Sequence, residues 1–193
     1  MPRICVFTGS SNGRRPSYRA GAVALGTALV SRGFDLVYGG ARVGLMGAVA
    51  DAVLEAGGHV IGVIPQALVA REVAHTGLPD LRVVASMHER KALMAELSDG
   101  FIATPGGWGT FEELFEVLTW GQLGLHRKPV GLLNIDHYFD PLLACLRHAV
   151  AEQFVRTEFD HLLSVSESPI DLLDRFAVYE PPQVRKWIDR ASS

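Results

Sequence analysis

The sequence predicts an α/β fold in which helices cover both faces of a doubly wound, mostly parallel sheet of about seven strands. The short apolar runs in the chain lack regular polar alternation, which indicates strands that are covered on both faces. Longer segments with helical periodicity separate most of these runs, and this order is typical of a parallel sheet. The 193 residues, 48% of them hydrophobic, suffice for the core of one domain spanning residues 1–193.

The individual elements follow from these runs in chain order. The predicted strands are Ile4–Thr8, Asp35–Tyr38, His59–Ile64, Leu81–Ala85, Gly100–Thr104, Val130–Leu133 and Leu162–Val165. The predicted helices are Tyr18–Arg32, Gly44–Ala56, Met87–Leu97, Phe111–Gln122 and Pro141–Gln153, with two more near Ile170–Phe176 and Gln183–Arg190. The strands are rich in Val, Ile, Leu and Phe, as buried strands are.

Composition argues against several classes of partner. The net charge of −3 gives no general attraction to nucleic acid or to an anionic membrane, so we expect neither as a partner. Cys5 and Cys145 lie in apolar runs and are predicted to be buried thiols, not a disulfide or a metal site. The apolar run at the N-terminus is too short for a signal peptide or a membrane span. A cytoplasmic location and a site without metal are the resulting expectations.

Four polar or glycine-rich stretches come directly after predicted strands. They are TGSSNG at 8–13, GGARVG at 39–44, SMHERK at 86–91 and TPGGWGT at 104–110. The carboxyl ends of parallel strands meet at one edge of the sheet, and open α/β sheets bind their ligands there. The sequence therefore predicts one ligand site built from several loops.

The stretch TPGGWGTFEE at 104–113 carries the strongest signal. Its glycines allow close approach of the backbone to a ligand, and the helix that follows offers unpaired N–H groups and the positive end of its dipole. A tight turn followed by a capping box of Thr110 and Glu113 is the alternative. Because the glycines join a strand end to a helix start, we favour binding of a phosphate by the N–H groups of Gly107, Gly109 and Thr110.

Helical periodicity gives the helix after this loop two apolar sides. Four residues share the face that we expect to pack on the sheet: Phe111, Leu114, Phe115 and Leu118. Glu113 is nearly opposite, with Val117 and Trp120 beside it. Since a second apolar side is usually buried, we expect Glu113 in a cleft roofed by a partner subunit of a homodimer. Capping alone would also account for a glutamate at this position.

Two further stretches add candidate residues. The adjacent cations Arg90 and Lys91 near a helix start oppose the helix dipole, which favours an anionic group nearby, although a solvated first turn is equally consistent. Ser10 and Ser11 form a polar cup after the first strand, and Met87 stands beside the cations; these three are expected to line the base or ribose side. The dinucleotide fingerprint, the Walker lysine motif and the nucleophile elbow are absent from the sequence.

Together, GSS, YGGxxxGLMG, MHERK and PGGWGTFEE strongly resemble the LONELY GUY (LOG) family, which are cytokinin-activating phosphoribohydrolases long mislabelled as lysine decarboxylases. The resemblance runs from about Ile4 to Trp120. It implies a Rossmann-like fold and a dimer with the site near its interface. Ala41 stands where the family usually has a third glycine, so Ala41 must avoid positive φ, or the phosphate end of the site is reshaped.

The resemblance also implies roles for particular residues. Arg90 and Glu113 become the catalytic pair. The nucleotide-binding positions become Glu72, Lys91, Gly107, Trp108, Gly109, Thr110, Phe111, Glu112 and Thr119, and Gly106 joins them from the same loop. The implied reaction hydrolyses the N-glycosidic bond of an adenosine 5′-monophosphate, plain or N6-modified. The carboxylate of Glu113 would stabilise the cation that develops at C1′, and Arg90 would orient Glu113 and keep it ionised.

Two other functions stay open at this point. A decarboxylase would use Lys91 as the Schiff-base lysine of pyridoxal phosphate, but a partner for the pyridinium nitrogen is not evident. A nucleotide-binding or carrier protein on the same fold would be non-catalytic. Such a protein has no need of a carboxylate near C1′, so Arg90 and Glu113 favour the hydrolase, which requires no cofactor.

Overall fold

The predicted strands all form in the computed structural model, which describes residues 1–69 and 74–181 apart from the side chains of residues 158–160. The strands are β1 (Arg3–Phe7), β2 (Asp35–Tyr38), β3 (Val60–Pro65), β4 (Asp80–Val84), β5 (Gly100–Ala103), β6 (Val130–Leu133) and β7 (Leu163–Ser166). Each bound lies within one residue of the predicted one. Apolar runs therefore fixed the strand positions closely.

The helices are α1 (Pro16–Ser31), α2 (Gly44–Glu55), α3 (Gln66–Val69), α4 (Met87–Leu97), α5 (Trp108–Gln122), α6 (Asp140–Ala151) and α7 (Pro169–Ala177). Two 3₁₀ turns, Ile135–His137 and Thr157–Leu162, join them. The short α3 was not predicted, and α6 ends before Gln153, which has a φ of 63°. The predicted helix Gln183–Arg190 lies outside the described residues.

The seven strands form one parallel sheet in the order β4-β3-β2-β1-β5-β6-β7. The chain builds the sheet outward from β1 through β4 and then returns to pair β5 on the other side of β1. The strand order reverses between β1 and β5, and the loops that follow these two strands diverge to opposite faces. A crevice at such a point is where doubly wound sheets bind ligands.

Apolar side chains form one core layer on each face of the sheet. Alternate residues of β1 serve both layers, since Ile4 and Val6 pack with α1, α2 and α7, whereas Cys5 and Phe7 pack with α4 and α5. The predicted doubly wound architecture is confirmed. Helix α6 is different, because every described side chain on it keeps some exposure.

Three smaller expectations meet different outcomes. Cys5 is buried as predicted, but Cys145 is exposed on α6, so the prediction that it is buried was wrong. Its apolar neighbours in the sequence turn to another side of that helix. Ala41 avoids positive φ and forms an antiparallel bridge with Ala74. In the described parts of the chain, every helix is too short or too polar to span a membrane.

Candidate active site

A cavity of about 610 Å³ opens at the carboxyl edge of the sheet, at the point where the strand order reverses. The loops after β1, β2 and β5 surround it, together with the first turns of α4 and α5. Nine of the site residues expected from the sequence line it: Ser10, Met87, Arg90, Gly107, Trp108, Gly109, Thr110, Glu112 and Glu113. The loops that the sequence singled out after the first, second, fourth and fifth strands thus meet in one place.

Helix α5 begins at the rim of this cavity, at Trp108. The N-cap residue is Gly107, which has no side chain to cap the helix, and its carbonyl accepts the first helical bond from the N–H of Phe111 at 3.1 Å. The amides of Trp108, Gly109 and Thr110 precede that bond and are the unpaired donors of a helix start. They and the helix dipole supply a positive potential suited to an anion.

The capping box of Thr110 and Glu113 does not form, because α5 begins at Trp108, three residues before the predicted Phe111. Thr110 is the third residue of the helix and is 3% exposed. Gly107 at the N-cap has no side chain to accept a hydrogen bond, so the first amides of α5 stay free for a ligand. Glu113 therefore stands where it does for a reason other than helix capping.

The glycine loop before α5 is held by contacts from two other loops. The N–H of Gly9 donates to the carbonyl of Pro105 at 3.1 Å, and the hydroxyl of Tyr138 donates to the carbonyl of Gly106. A Cβ at Gly106 would overlap the hydroxyl oxygen of Thr110, so this position requires glycine for close packing. The loop is therefore fixed before any ligand arrives.

Arg90 and Glu113 face each other across the buried end of the cavity. They are 8% and 9% exposed, and Nη2 of Arg90 lies 4.0 Å from Oε1 of Glu113. Nε of Arg90 donates to the carbonyl of Val63 at 3.2 Å, which fixes one edge of the guanidinium. The two charged groups are thus close but not in direct hydrogen-bond contact.

Burial raises the pKa of Glu113 from 4.5 to about 7, and the charge of Arg90 lowers it only in part. Arg90 thus favours the ionised form of Glu113, as expected, but burial raises the pKa by more than Arg90 lowers it. Loss of water around the carboxylate outweighs an attraction that acts over 4.0 Å. The carboxyl group exchanges protons in the neutral range, where a general base is most effective.

The face that the sequence assigned to α5 holds for Phe111, Leu114 and Leu118, which pack in or against the core, and is wrong for Phe115. The buried residues of α5 are Thr110, Glu113, Leu114, Val117 and Gly121. Phe115 is 41% exposed, although it was expected to pack on the sheet. One side of α5 has two environments. It lines the cavity at Glu113, near the start of the helix, and packs in the core at Leu114 and Val117.

Lys91 lies beside the cavity with its ammonium group paired. It contacts the carboxylates of Glu112 and of Glu116, the latter at 3.1 Å. Partial burial lowers the pKa of Lys91, but hydrogen bonds to the two carboxylates raise it more, and the net shift is upward. A Schiff-base lysine must instead lose its proton readily, which argues against the decarboxylase.

The other expected site residues do not line the cavity. Ser11 is exposed beside Ser10, and the ring of Phe111 stacks on Tyr138 with centroids 6.5 Å apart. Thr119 donates its hydroxyl to the carbonyl of Phe115 and borders a separate groove. Gly106 belongs to the glycine loop, and its carbonyl accepts the hydrogen bond from Tyr138 that holds this loop. Glu72 lies outside the described residues.

Some lining residues were missed by the sequence analysis. Thr8 lines the cavity, and the hydroxyl of Thr104 donates to it at 2.6 Å. Both threonines were placed at the ends of predicted strands, so their adjacency would have followed had the strand order been known. Gly39 and Leu68 also border the cavity. Among the described residues, no cluster of three or more groups suited to a metal is found.

A second opening lies between α5 and α6. It is an apolar groove of about 230 Å³. Its lining residues are Phe115, Leu118, Thr119, Gln122, Leu146, Val150, Val155, Leu162 and Leu163. Phe115, which was expected to pack on the sheet, thus borders this groove.

Comparison with known proteins identifies similar chains. A family model described as "possible lysine decarboxylase" matches residues 46–176. The chain is 51% identical over 179 residues to the cytokinin riboside 5′-monophosphate phosphoribohydrolase LOG of Oryza sativa subsp. japonica, covering 93% of this chain and 74% of that protein. It is also 51% identical over 179 residues to LOG1 of Arabidopsis thaliana, which bears the same activity in its name, covering 93% and 84%.

Solved structures with the same fold are more distant in sequence. A molybdenum cofactor binding protein from Rippkaea orientalis aligns with a TM-score of 0.69 at 25% identity, covering 92% of this chain and 96% of that chain. The molybdenum cofactor carrier protein of Chlamydomonas reinhardtii aligns with a TM-score of 0.69 at 22% identity, covering 92% and 99%. The second likeness concerns the fold alone.

Proposed function

This chain belongs to the family of cytokinin riboside 5′-monophosphate phosphoribohydrolases, and from that premise we propose that Glu113 and Arg90 are the catalytic residues of its reaction. The reaction is hydrolysis of the N-glycosidic bond of an adenosine 5′-monophosphate, which releases the base and ribose 5-phosphate. The observation that carries the assignment is a buried carboxylate beside a helix start that is suited to phosphate.

The start of α5 binds the 5′-phosphate in this proposal. Trp108, Gly109 and Thr110, whose amides are unpaired at the helix start, line the same cavity as Glu113. A phosphate held there fixes the ribose in register, which removes much of the entropic cost of the reaction. Thr8 and Ser10, on the neighbouring loop, are within the cavity and supply further polar contacts.

Glu113 acts on the sugar. As the bond between C1′ and the base nitrogen lengthens, its electron pair moves to the base and positive charge develops on the ribose. A carboxylate beside C1′ stabilises that charge. Glu113 also accepts a proton from the attacking water, whose oxygen forms the new bond to C1′, and the departing base nitrogen takes up a proton. A pKa of about 7 suits this exchange.

Arg90 sets the position and charge state of Glu113. Its guanidinium is the nearest cation to the carboxylate, and it favours the ionised form that the reaction needs. Its planar group is held by the carbonyl of Val63, so it cannot follow the carboxylate freely. Lys at this position would keep the charge but lose this geometry.

We also propose that the chain acts as a single hydrolase domain within a cytoplasmic homodimer. The apolar groove and the lack of fully buried residues on α6 support a covering subunit. Thr119 borders that groove instead of the cavity of its own chain. Its inferred contact with nucleotide would therefore be made to a nucleotide held by the other subunit. A two-fold axis would give both sites the same arrangement.

Product chromatography tests the function directly. The purified chain is incubated with AMP and, separately, with N6-isopentenyl-AMP. We expect a free base and ribose 5-phosphate from at least one of them, and the comparison identifies the preferred base. A carrier or sensor on the same fold would bind the nucleotide and leave it intact, which would refute the hydrolase assignment.

A further inference from the structure

Gly39 occupies a position from which a side chain would reach the catalytic pair. It is the first residue after β2 and lines the cavity. A Cβ built there would overlap Nη2 of Arg90 and would lie 2.9 Å from its Cζ and 2.5 Å from Cε of Met46. The guanidinium therefore rests against the bare backbone of Gly39.

The backbone itself does not demand glycine at this position. Gly40, the next residue, has a φ of 72°, a conformation that other residues rarely adopt. Gly39 is outside the positive-φ region. The requirement at Gly39 is for space, and the group that uses this space is the guanidinium.

The other contacts of Arg90 leave it little choice of position. Its Nε is bonded to the carbonyl of Val63, and its Nη1 contacts the sulfur of Met87 at 3.8 Å. Nη2 lies against Gly39 and is the nitrogen that approaches Glu113 at 4.0 Å. A methyl group at residue 39 would displace the one nitrogen that faces the carboxylate.

We propose that Gly39 is a positioning residue, whose missing side chain seats the Arg90 guanidinium against Glu113. The expected effect on turnover rests on the proposed function. The contact between Gly39 and the Arg90 guanidinium rests on geometry alone. The atoms nearest to the added Cβ are the ends of two flexible side chains, Arg90 and Met46, so the fold accommodates the change. The arrangement of the catalytic pair does not.

The variant Gly39→Ala tests this seat. We expect kcat for AMP to fall at least about 10-fold, since charge stabilisation in a buried site depends closely on geometry. KM should change little, because the phosphate-binding amides are untouched. The acid limb of the pH profile should move to higher pH as the charge of Arg90 retreats from Glu113. A purely structural defect would not shift that limb.

Two matched glycine variants serve as controls. A Cβ at the exposed Gly77 meets only ordinary contacts with His75, at 3.6 Å or more, so Gly77→Ala should retain wild-type kcat and melting temperature. Gly40→Ala should lower the melting temperature through backbone strain. The contrast separates displacement of Arg90 from the general effects of adding a methyl group at a glycine and of straining the loop after β2.

A double-mutant cycle with Arg90→Lys identifies the partner. A lysine has no planar fork to displace, so adding Gly39→Ala in that background should lower kcat less than about 3-fold. If the two losses multiply instead, Gly39 acts independently of Arg90 and the proposal fails.

A crystal structure of Gly39→Ala gives a readout that needs no activity. We expect the distance between Nη2 of Arg90 and Oε1 of Glu113 to increase from 4.0 Å. An unchanged distance would refute the proposal that Gly39 positions Arg90, even if turnover were lost. If the wild-type chain cleaves no nucleotide, the proposed function fails, and this structure still decides whether Gly39 seats Arg90.

Discussion

Helix α5 borders two openings, and their chemistry differs. At its start, the cavity buries the charged Arg90 and Glu113 to more than nine-tenths. Along its later turns, the groove leaves Phe115 41% exposed. Burying charged groups lowers the stability of the fold. Leaving apolar surface exposed also lowers it, because the stabilisation that burial would give is not gained. Each opening therefore carries a cost that a bound group would offset, a nucleotide at the first and a second subunit at the other.

The two openings are expected to recognise different groups. The cavity combines helix amides with buried charges and is suited to a small anion with a reacting centre nearby. The groove offers apolar side chains and few charges, as the centre of a subunit interface does. Changes at the cavity should alter turnover, and changes at the groove should alter assembly.

The largest expected effect concerns the phosphate of the substrate. Adenosine lacks the group that the start of α5 would hold, so its kcat/KM should be lower than that of AMP by about 10³-fold. Initial rates of base release from the two compounds measure this. Equal values would mean that the glycine loop does not bind phosphate. The cavity would then not be the anion site that distinguishes it from the groove.

The next effect concerns the groove. Light scattering at micromolar concentration should report a dimer for the wild-type chain. Leu146→Glu places a charge in the groove and should produce a monomer with kcat/KM reduced about 10-fold or more, because the partner in the proposed dimer would complete the site. Ala144→Glu adds the same charge to α6 outside the residues that line the groove and should remain dimeric. A monomeric wild-type chain would contradict the role given to the groove.

Less of α5 than of the sheet could be predicted from the sequence. Apolar runs are local signals, and they fixed every strand to within one residue. Which side of α5 is exposed depends on the helix that packs beside it. The pattern predicted that Phe115 is buried, but α6 does not cover it. The contact between Gly39 and Arg90 joins the loop after β2 to helix α4, and periodicity within one element cannot predict such a contact.

The smaller features depended on tertiary context as well. Glu113 was singled out from the sequence and lines the cavity, but its raised pKa follows from burial, which a motif does not reveal. Tyr138 supports the glycine loop from the segment after the neighbouring strand β6 and stood in no motif. Thr8 and Thr104 each stand at the end of a predicted strand. That they are neighbours follows only from the pairing of β1 with β5, which the sequence does not reveal.

A smaller effect is the pH dependence of turnover. If the ionised form of Glu113 is active, kcat/KM should fall about tenfold per pH unit below a limb near pH 7, the value to which burial raises its pKa. His126 would not mimic this limb, because burial lowers its pKa. A limb near pH 4.5 would indicate a solvated carboxylate, and one at about pH 6 would report the phosphate of the substrate.

The variant Glu113→Gln tests the central claim most directly, when kcat and melting temperature are measured together at pH 8. A raised pKa means that the folded chain holds the proton more tightly. That contribution to stability is present below pH 4.5 and is lost as pH rises to 7. The variant avoids this loss, at most about 3 kcal/mol.

We therefore expect Glu113→Gln to lower kcat by about 10²-fold or more, while its melting temperature at pH 8 equals or exceeds that of the wild type. Its advantage in melting temperature should shrink as pH falls toward 4.5, the ordinary pKa of a glutamate side chain. A variant with wild-type kcat and a lowered melting temperature would contradict the account, because Glu113 would then serve the fold and not the reaction.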